Sequence, residues 1–218
     1  MLNSFLVVFM GLMPIVNPPG SALLFLTLTH KGTRDERADL ARRIAIYAFL
    51  IMLASLYVGA FVLRLFGISV PVLRVAGGLV LAMAGWRALD APPPTEVRSP
   101  SGAGHSDLAN MAFYPLTMPL TTGPGTVAVA IALGTSGSHA ADMPLPIVLS
   151  GMLGALLAAL AITALVYVCY RFADRLEMAL GQHGSDALGR LFAFILICIG
   201  IQILWIGLAE LWTSLPPR

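Results

Sequence analysis

Six apolar stretches, each long enough to cross a bilayer, constrain the fold of this 218-residue chain more than any other feature. A hydrocarbon core about 30 Å thick needs about 20 apolar residues per helix. Leu2–Thr29 has no charge, Ile44–Leu63 follows, and Val70–Leu89 contains Arg74 and Arg87. The fourth stretch lies within the uncharged run Leu108–Ser138, the fifth close to Pro146–Val168 and the sixth to Leu191–Ala209. Inside a bilayer the backbone must satisfy its own N–H and C=O groups, so the expected fold is an all-α membrane protein of six transmembrane helices. Composition agrees. Only 11% of the residues are charged, against about 25% in soluble domains.

The loops set an orientation. Lys31, Arg34, Arg37, Arg42, Arg43, Arg87, Arg98, Arg171, Arg175 and Arg190 fall on one side, and Arg64, Arg74 and Arg218 on the other. The positive-inside rule makes the richer side cytoplasmic, with both termini outside. Arg74 and Arg87 stand about 20 Å apart along a helix, so each can snorkel to its own interface. The run Arg34–Arg43 reads as a solvated cytoplasmic face. No Lys or Arg precedes Lys31, so the first stretch reads as a membrane helix and not as a cleaved signal. Ala91–Gly104, rich in Pro, Ser and Gly, reads as a flexible cytoplasmic linker. A net charge of +2, scattered between apolar blocks, argues against nucleic acid as a partner. Cys169 and Cys198 have no metal-ligand spacing and are expected to be buried thiols.

Two short motifs repeat at an offset of 105 residues. Met13-Pro14-Ile15-Val16-Asn17-Pro18-Pro19-Gly20-Ser21 aligns with Met118-Pro119-Leu120-Thr121-Thr122-Gly123-Pro124-Gly125-Thr126. The same offset carries the second stretch onto the fifth. Beyond it the register slips, because the loop before the sixth stretch is longer. The single transmembrane domain thus divides into repeat one (about 2–90), the linker (about 91–107) and repeat two (about 108–212). Three helices per half is an odd number, so the halves are expected to be inverted, a plan common among secondary transporters.

Both motifs break their helices near the midplane. Proline removes a helical hydrogen bond and clashes with the turn before it. Asn17 is a good cap for a helix starting at Pro18, and Thr121 or Thr122 can cap one containing Pro124. Half-helices that restart at the midplane direct N–H groups and positive dipole ends at one point, which suits a carboxylate. Carbonyls freed at the ends of the first half-helices suit an ammonium group or a small cation. Asn17, Pro18, Gly20, Ser21, Thr121, Thr122, Gly123, Gly125 and Thr126 are therefore the candidate substrate-binding residues. No Asp, Glu or His lies near the middle of a stretch, which argues against a carboxylate proton shuttle and leaves the coupling ion open. Without HExxH, GxSxG or a buried acid pair, no enzyme chemistry, catalytic residue, metal site or cofactor is expected. Gly77-Gly78 and the face Gly151, Gly154, Ala155, Ala158 and Ala159 read as packing surfaces, which also permit a homo-oligomer. Gln202, the strongly polar residue deep in the sixth stretch, reads as an interhelical hydrogen bond.

Asn17-Pro18-Pro19-Gly20, together with Ala112-Phe113-Tyr114-Pro115-Leu116-Thr117-Met118-Pro119-Leu120-Thr121-Thr122-Gly123-Pro124-Gly125-Thr126, resembles the MarC family of bacterial inner-membrane proteins. The likeness covers essentially the whole chain in length, helix count and motif placement. It implies a six-helix protein of the bacterial cytoplasmic membrane, of a kind commonly labelled a neutral amino-acid transporter. The residues and the resemblance together predict a secondary transporter or exporter of small neutral amino acids or similar zwitterions. The alternatives are a carrier of another small solute, or a membrane scaffold in which the breaks are purely structural.

Overall fold

The computed structural model describes residues 1–29, 32–90, 111–135 and 144–213. The linker, the loop after the fourth stretch, His30, His105 and His139 lie outside them, as does the His183 side chain. The described residues form helices throughout. These are α1 (Leu2–Val16), α2 (Pro18–Leu28), α3 (Arg34–Tyr57), α4 (Gly59–Leu65), α5 (Val70–Asp90), α6 (Ala112–Thr121), α7 (Pro124–Thr135), α8 (Leu145–Arg171) and α9 (Ala173–Thr213). Five stretches are long and apolar enough to cross a membrane: Leu2–Leu26, Arg34–Tyr57, Val70–Asp90, Leu145–Arg171 and Ala187–Thr213. The α6–α7 pair makes a sixth if its two halves, bent by 64°, count as one span.

Three sequence expectations need correction. The second stretch does not run unbroken to Leu63, because α3 stops at Tyr57 and α4 restarts at Gly59. The side chain of Ile131 from α7 occupies the space that a Cβ at Gly59 would need. The segment before the sixth span is not a loop. α9 begins at Ala173 and turns at Gly181, whose φ of 65° is a conformation that side chains disfavour. Nor is Arg34–Arg43 simply solvated. Thr33 and Glu36 form a reciprocal capping box that starts α3, and Arg37 reaches across to α9. Its Nη2 lies 2.9 and 3.1 Å from the two carboxylate oxygens of Asp174.

α3 and α8 run antiparallel, with Arg37–Asp174 near one end and Tyr57 Oη donating to the Met152 carbonyl (2.6 Å) near the other. α1 and α2 pack on α8, while α6 and α7 pack on α3. α2 also meets α9, and α7 meets α5. The core is apolar, including Leu12, Phe25, Ile44, Met52, Leu116 and Ile162, all fully buried. Arg74, on α5, forms an ion pair with Glu210 on α9, so both ends of the bundle are tied by charge.

The longest seam joins α5 to α9, and glycine makes it. A Cβ at Gly78 would meet backbone atoms of Gly200 and Leu204, and one at Gly200 would meet those of Gly78 and Ala82. A Cβ at Gly85 would meet Ala193 and Ile197, and one at Gly207 would meet Pro71 and Val75. Shifting every α5 residue by 122 turns each of these contacts into another of them. Gly77 packs against Ala128, and Gly154 against the backbone of Met1 and Phe5. The glycines and alanines expected to pack therefore do so. Two expectations fail at the surface of α9. Cys198 is exposed rather than buried, and Gln202 is exposed, with no hydrogen-bond partner among the described residues.

Candidate functional site

The first break is built around Asn17. Its backbone is left-handed (φ 45°, ψ 62°), a conformation that Asn tolerates better than most residues. Its N–H closes α1 on the Met13 carbonyl, and its Oδ1 accepts the Gly20 N–H (3.3 Å) to open α2. Glycine at position 20 leaves room for that cap, because a Cβ would run into the Asn17 amide. Ser21 Oγ then donates to the Val16 carbonyl across the break (3.0 Å). The cap at Asn17 and Pro18 at the first helical position stand as read from the sequence.

The second break differs. α6 is not a regular helix. Tyr114 and Met118 have extended backbones, and the Tyr114–Pro115 and Met118–Pro119 peptide bonds are cis. Wide turns span five residues, from Leu116 N to the Met111 carbonyl and from Thr122 N to the Thr117 carbonyl. Threonine hydroxyls also bond back to backbone carbonyls: Thr117 donates to Ala112 (2.6 Å), Thr121 to Leu116 (2.8 Å) and Thr122 to Thr117 (3.2 Å). These bonds of Thr121 and Thr122 point backward, away from α7. The residue before Pro124 is Gly123, whose carbonyl takes the first α7 bond, from Val127.

The two breaks meet at one side chain from α8. Tyr170 Oη lies 2.8 Å from Thr121 Oγ1. The Thr121 proton is committed to Leu116, so Tyr170 is the donor. The Tyr170 ring stacks on Phe25 of α2, with centroids 4.7 Å apart and both side chains fully buried. Asn17, Ser21, Thr121, Thr122 and Thr126 are each at most 8% exposed. Pro18, Gly20 and Gly125 are buried and Gly123 half-buried. The breaks therefore bring polar side chains together in the core, but they are packed shut and bonded to nearby backbone.

This closure revises one expectation. Pro18 and Pro19 have no N–H, and Asn17 takes that of Gly20. The α2 N-terminus thus has no unused donor in its first turn. The carbonyls of Val16, Ala112, Leu116 and Thr117 are likewise occupied. Recognition at the breaks would therefore fall on amide and hydroxyl side chains that exchange partners. Sequence reasoning missed Tyr170 and Phe25. Tyr170 stands beside Arg171 at the end of an apolar stretch, where tyrosine reads as an interfacial anchor. A groove of about 410 Å³ between α3 and α8, lined by Arg42, Phe49, Leu160 and Tyr167 among others, shares no lining residue with the breaks.

The sequence comparisons cover the whole of this architecture. The model of the MarC family, described as integral membrane proteins, matches residues 2–212. The chain belongs to the MarC family. It is 34% identical over 206 residues to the inner membrane protein MarC of Salmonella typhimurium, which spans 92% of this chain and 91% of that protein. The Citrobacter koseri protein of the same name gives the same figures. That of Escherichia coli O1:K1 is 33% identical over 223 residues, or 97% and 98% of the two chains. No solved structure matches. The family relationship and the apolar helices make this a multi-pass inner-membrane protein, and the names of its MarC relatives carry no substrate.

Proposed function

We propose that this MarC-family protein is a secondary transporter or exporter of small neutral amino acids or similar small zwitterions, with the solute held between its two breaks. The observation that carries the reading is the meeting of the two breaks at Tyr170 inside an otherwise apolar core, where its hydroxyl bonds Thr121 of the second break and its ring stacks on Phe25 of the helix that Asn17 and Ser21 open. A purely structural kink has no need for both halves to meet at one polar side chain. A carboxylate and an ammonium group need such donors and acceptors, and each intramolecular bond given up for a solute bond is worth only about 0.5–1.5 kcal/mol net.

The reading includes two inverted repeats. Exchanging α1 with α6, α2 with α7, α3 with α8 and α5 with α9 turns the α1–α8 contact into α3–α6, α2–α8 into α3–α7, α2–α9 into α5–α7, and α1–α7 into α2–α6. The interchangeable glycine contacts of the α5–α9 seam are what a two-fold axis between antiparallel helices would produce. Their 122-residue shift exceeds the 105-residue offset of the breaks by 17 residues, which accounts for the loss of register before the sixth span. Rocking of one repeat against the other would then give alternating access. The halves are unequal where it matters. The 105-residue offset places Ala130 and exposed Leu65 where Phe25 and Tyr170 stand, so the aromatic seal lies only at the arginine-rich end. That end faces the cytoplasm in this reading, with both termini outside.

Thermal unfolding of the purified protein tests the substrate class. A ligand that binds only the folded state at 100 times its Kd adds about 2.7 kcal/mol. Alanine, serine or glycine should raise the melting temperature, whereas glutamate and lysine, with an extra charge, should not. No shift with any neutral amino acid at saturating concentrations removes this assignment.

A further inference from the structure

Gln202 has no evident reason to be where it is. It lies near the centre of the membrane-crossing part of α9, Ala187–Thr213. It points away from the bundle and has no hydrogen-bond partner among the described residues. Cys198, Ile201, Trp205 and Leu208 share its exposed side. The matching side of α5, across the glycine seam, exposes Leu79, Val80, Met83 and Trp86, with Val80 at the position of Gln202. Lipid asks for an apolar face, and α5 provides one. α9 departs from it at one residue, at the depth where water is scarcest and an unpaired amide is most costly.

We propose that the outer face of α9 is the interface of a homodimer, in which the Gln202 amide hydrogen-bonds its counterpart in a second copy. The geometry favours this chain as its own partner. Two copies inserted with one topology bring Gln202 to the same depth, whereas an unrelated protein must happen to carry a polar group there. A primary amide is both donor and acceptor, so it is self-complementary across a two-fold axis along the membrane normal, as an isologous interface requires. Cys198, Ile201 and Trp205, within one turn of Gln202, would pack around the pair and exclude lipid. The site does not depend on what the protein carries.

The test uses full-length protein in proteoliposomes at low protein-to-lipid ratio. With Cys169→Ser, Cys198 is the remaining thiol and lies one turn from Gln202. Oxidation with copper phenanthroline should link two copies through Cys198. A thiol moved to the α5 face (Leu79→Cys with both native cysteines replaced) should not link them. The dimer dissociation constant, read by energy transfer on dilution in lipid, should rise about 3- to 30-fold in Gln202→Leu, the equivalent of about 0.6–2 kcal/mol for a polar bond between helices. Thermal unfolding checks that this outward-facing variant remains folded. Monomer at every ratio, linkage through position 79 as efficient as through 198, or an unchanged dissociation constant in folded Gln202→Leu overturns the proposal.

Discussion

Replacing Gly78 with alanine adds one methyl group to the α5–α9 seam, and its surroundings fix the consequence. The new Cβ would stand 2.5 Å from Leu204 N, 2.6 Å from the Gly200 carbonyl oxygen and 2.9 Å from Leu204 Cα. Ordinary contact begins at 3.4 Å, so the helices must part by about 0.9 Å. All three neighbours are backbone, so no rotamer can relieve the strain. A gap of that width forfeits about a quarter to a half of each contact across it. Overpacking costs about 1–3 kcal/mol, and this site belongs at the upper end. Alanine recovers about 0.5–1 kcal/mol of helix propensity, which leaves a net loss of about 2 kcal/mol. The matching seam contacts predict the same loss for Gly200→Ala. Gly189→Ala, with nothing within 4 Å, should be neutral or slightly stabilising. Unfolding in mixed micelles can be followed by intrinsic fluorescence, since the three tryptophans, Trp86, Trp205 and Trp212, all lie on α5 and α9. A Gly78→Ala protein as stable as its parent would refute the close-packed seam. Losses at 78 and 200 that differ by more than about 1 kcal/mol would refute its two-fold character.

Asn17→Ala removes a cap and forces alanine into a left-handed turn, so unfolding should show a loss of about 2–3 kcal/mol. Asn17→Gly accepts the turn and should recover most of that stability while lacking the amide. Arg37→Gln and Asp174→Asn break an ion pair in which one guanidinium nitrogen reaches both carboxylate oxygens, the two side chains being 14% and 30% exposed. A double-mutant cycle should give a coupling of about 1–2 kcal/mol that falls only modestly with salt. Tyr170→Phe keeps the Phe25 stack but loses the bond to Thr121, a change of about 1 kcal/mol. In the transport reading it should alter solute flux more than that stability loss explains.

The membrane spans are legible in the amino-acid sequence, because apolar length is a one-dimensional property. Three of the six predicted stretches lie within long helices, the α6–α7 pair falls inside the run predicted to hold the fourth, and the first is the α1–α2 span. Asn17 and Pro18 are legible too, since a cap and a first-turn proline are local chemistry. The features that escape a sequence reading depend on contacts between distant segments. The glycine at position 59 answers to Ile131, and Arg37 is withdrawn from solvent by Asp174, 137 residues away. Thr121 and Thr122 look like caps from their neighbours alone, yet their hydroxyls turn backward onto carbonyls of α6, whose backbone is extended at Tyr114 and Met118. Tyr170 looks like an interfacial anchor until α2 and α6 fold against it. Gln202 reads as an interhelical bond from its residue type and depth. The fold supplies no partner for it among the described residues, which makes a second chain the natural place to look.

The most direct test of transport at the paired breaks is counterflow of radiolabelled alanine in proteoliposomes, with Asn17→Gly, Thr121→Val and Gly125→Ala as paired controls. The parent protein should show exchange that excess serine or glycine suppresses, and each variant shown to be folded should lose it. Folded parent protein that exchanges none of a panel of neutral amino acids would contradict the substrate class. Exchange that survives all three substitutions would contradict the placement of the solute at the paired breaks.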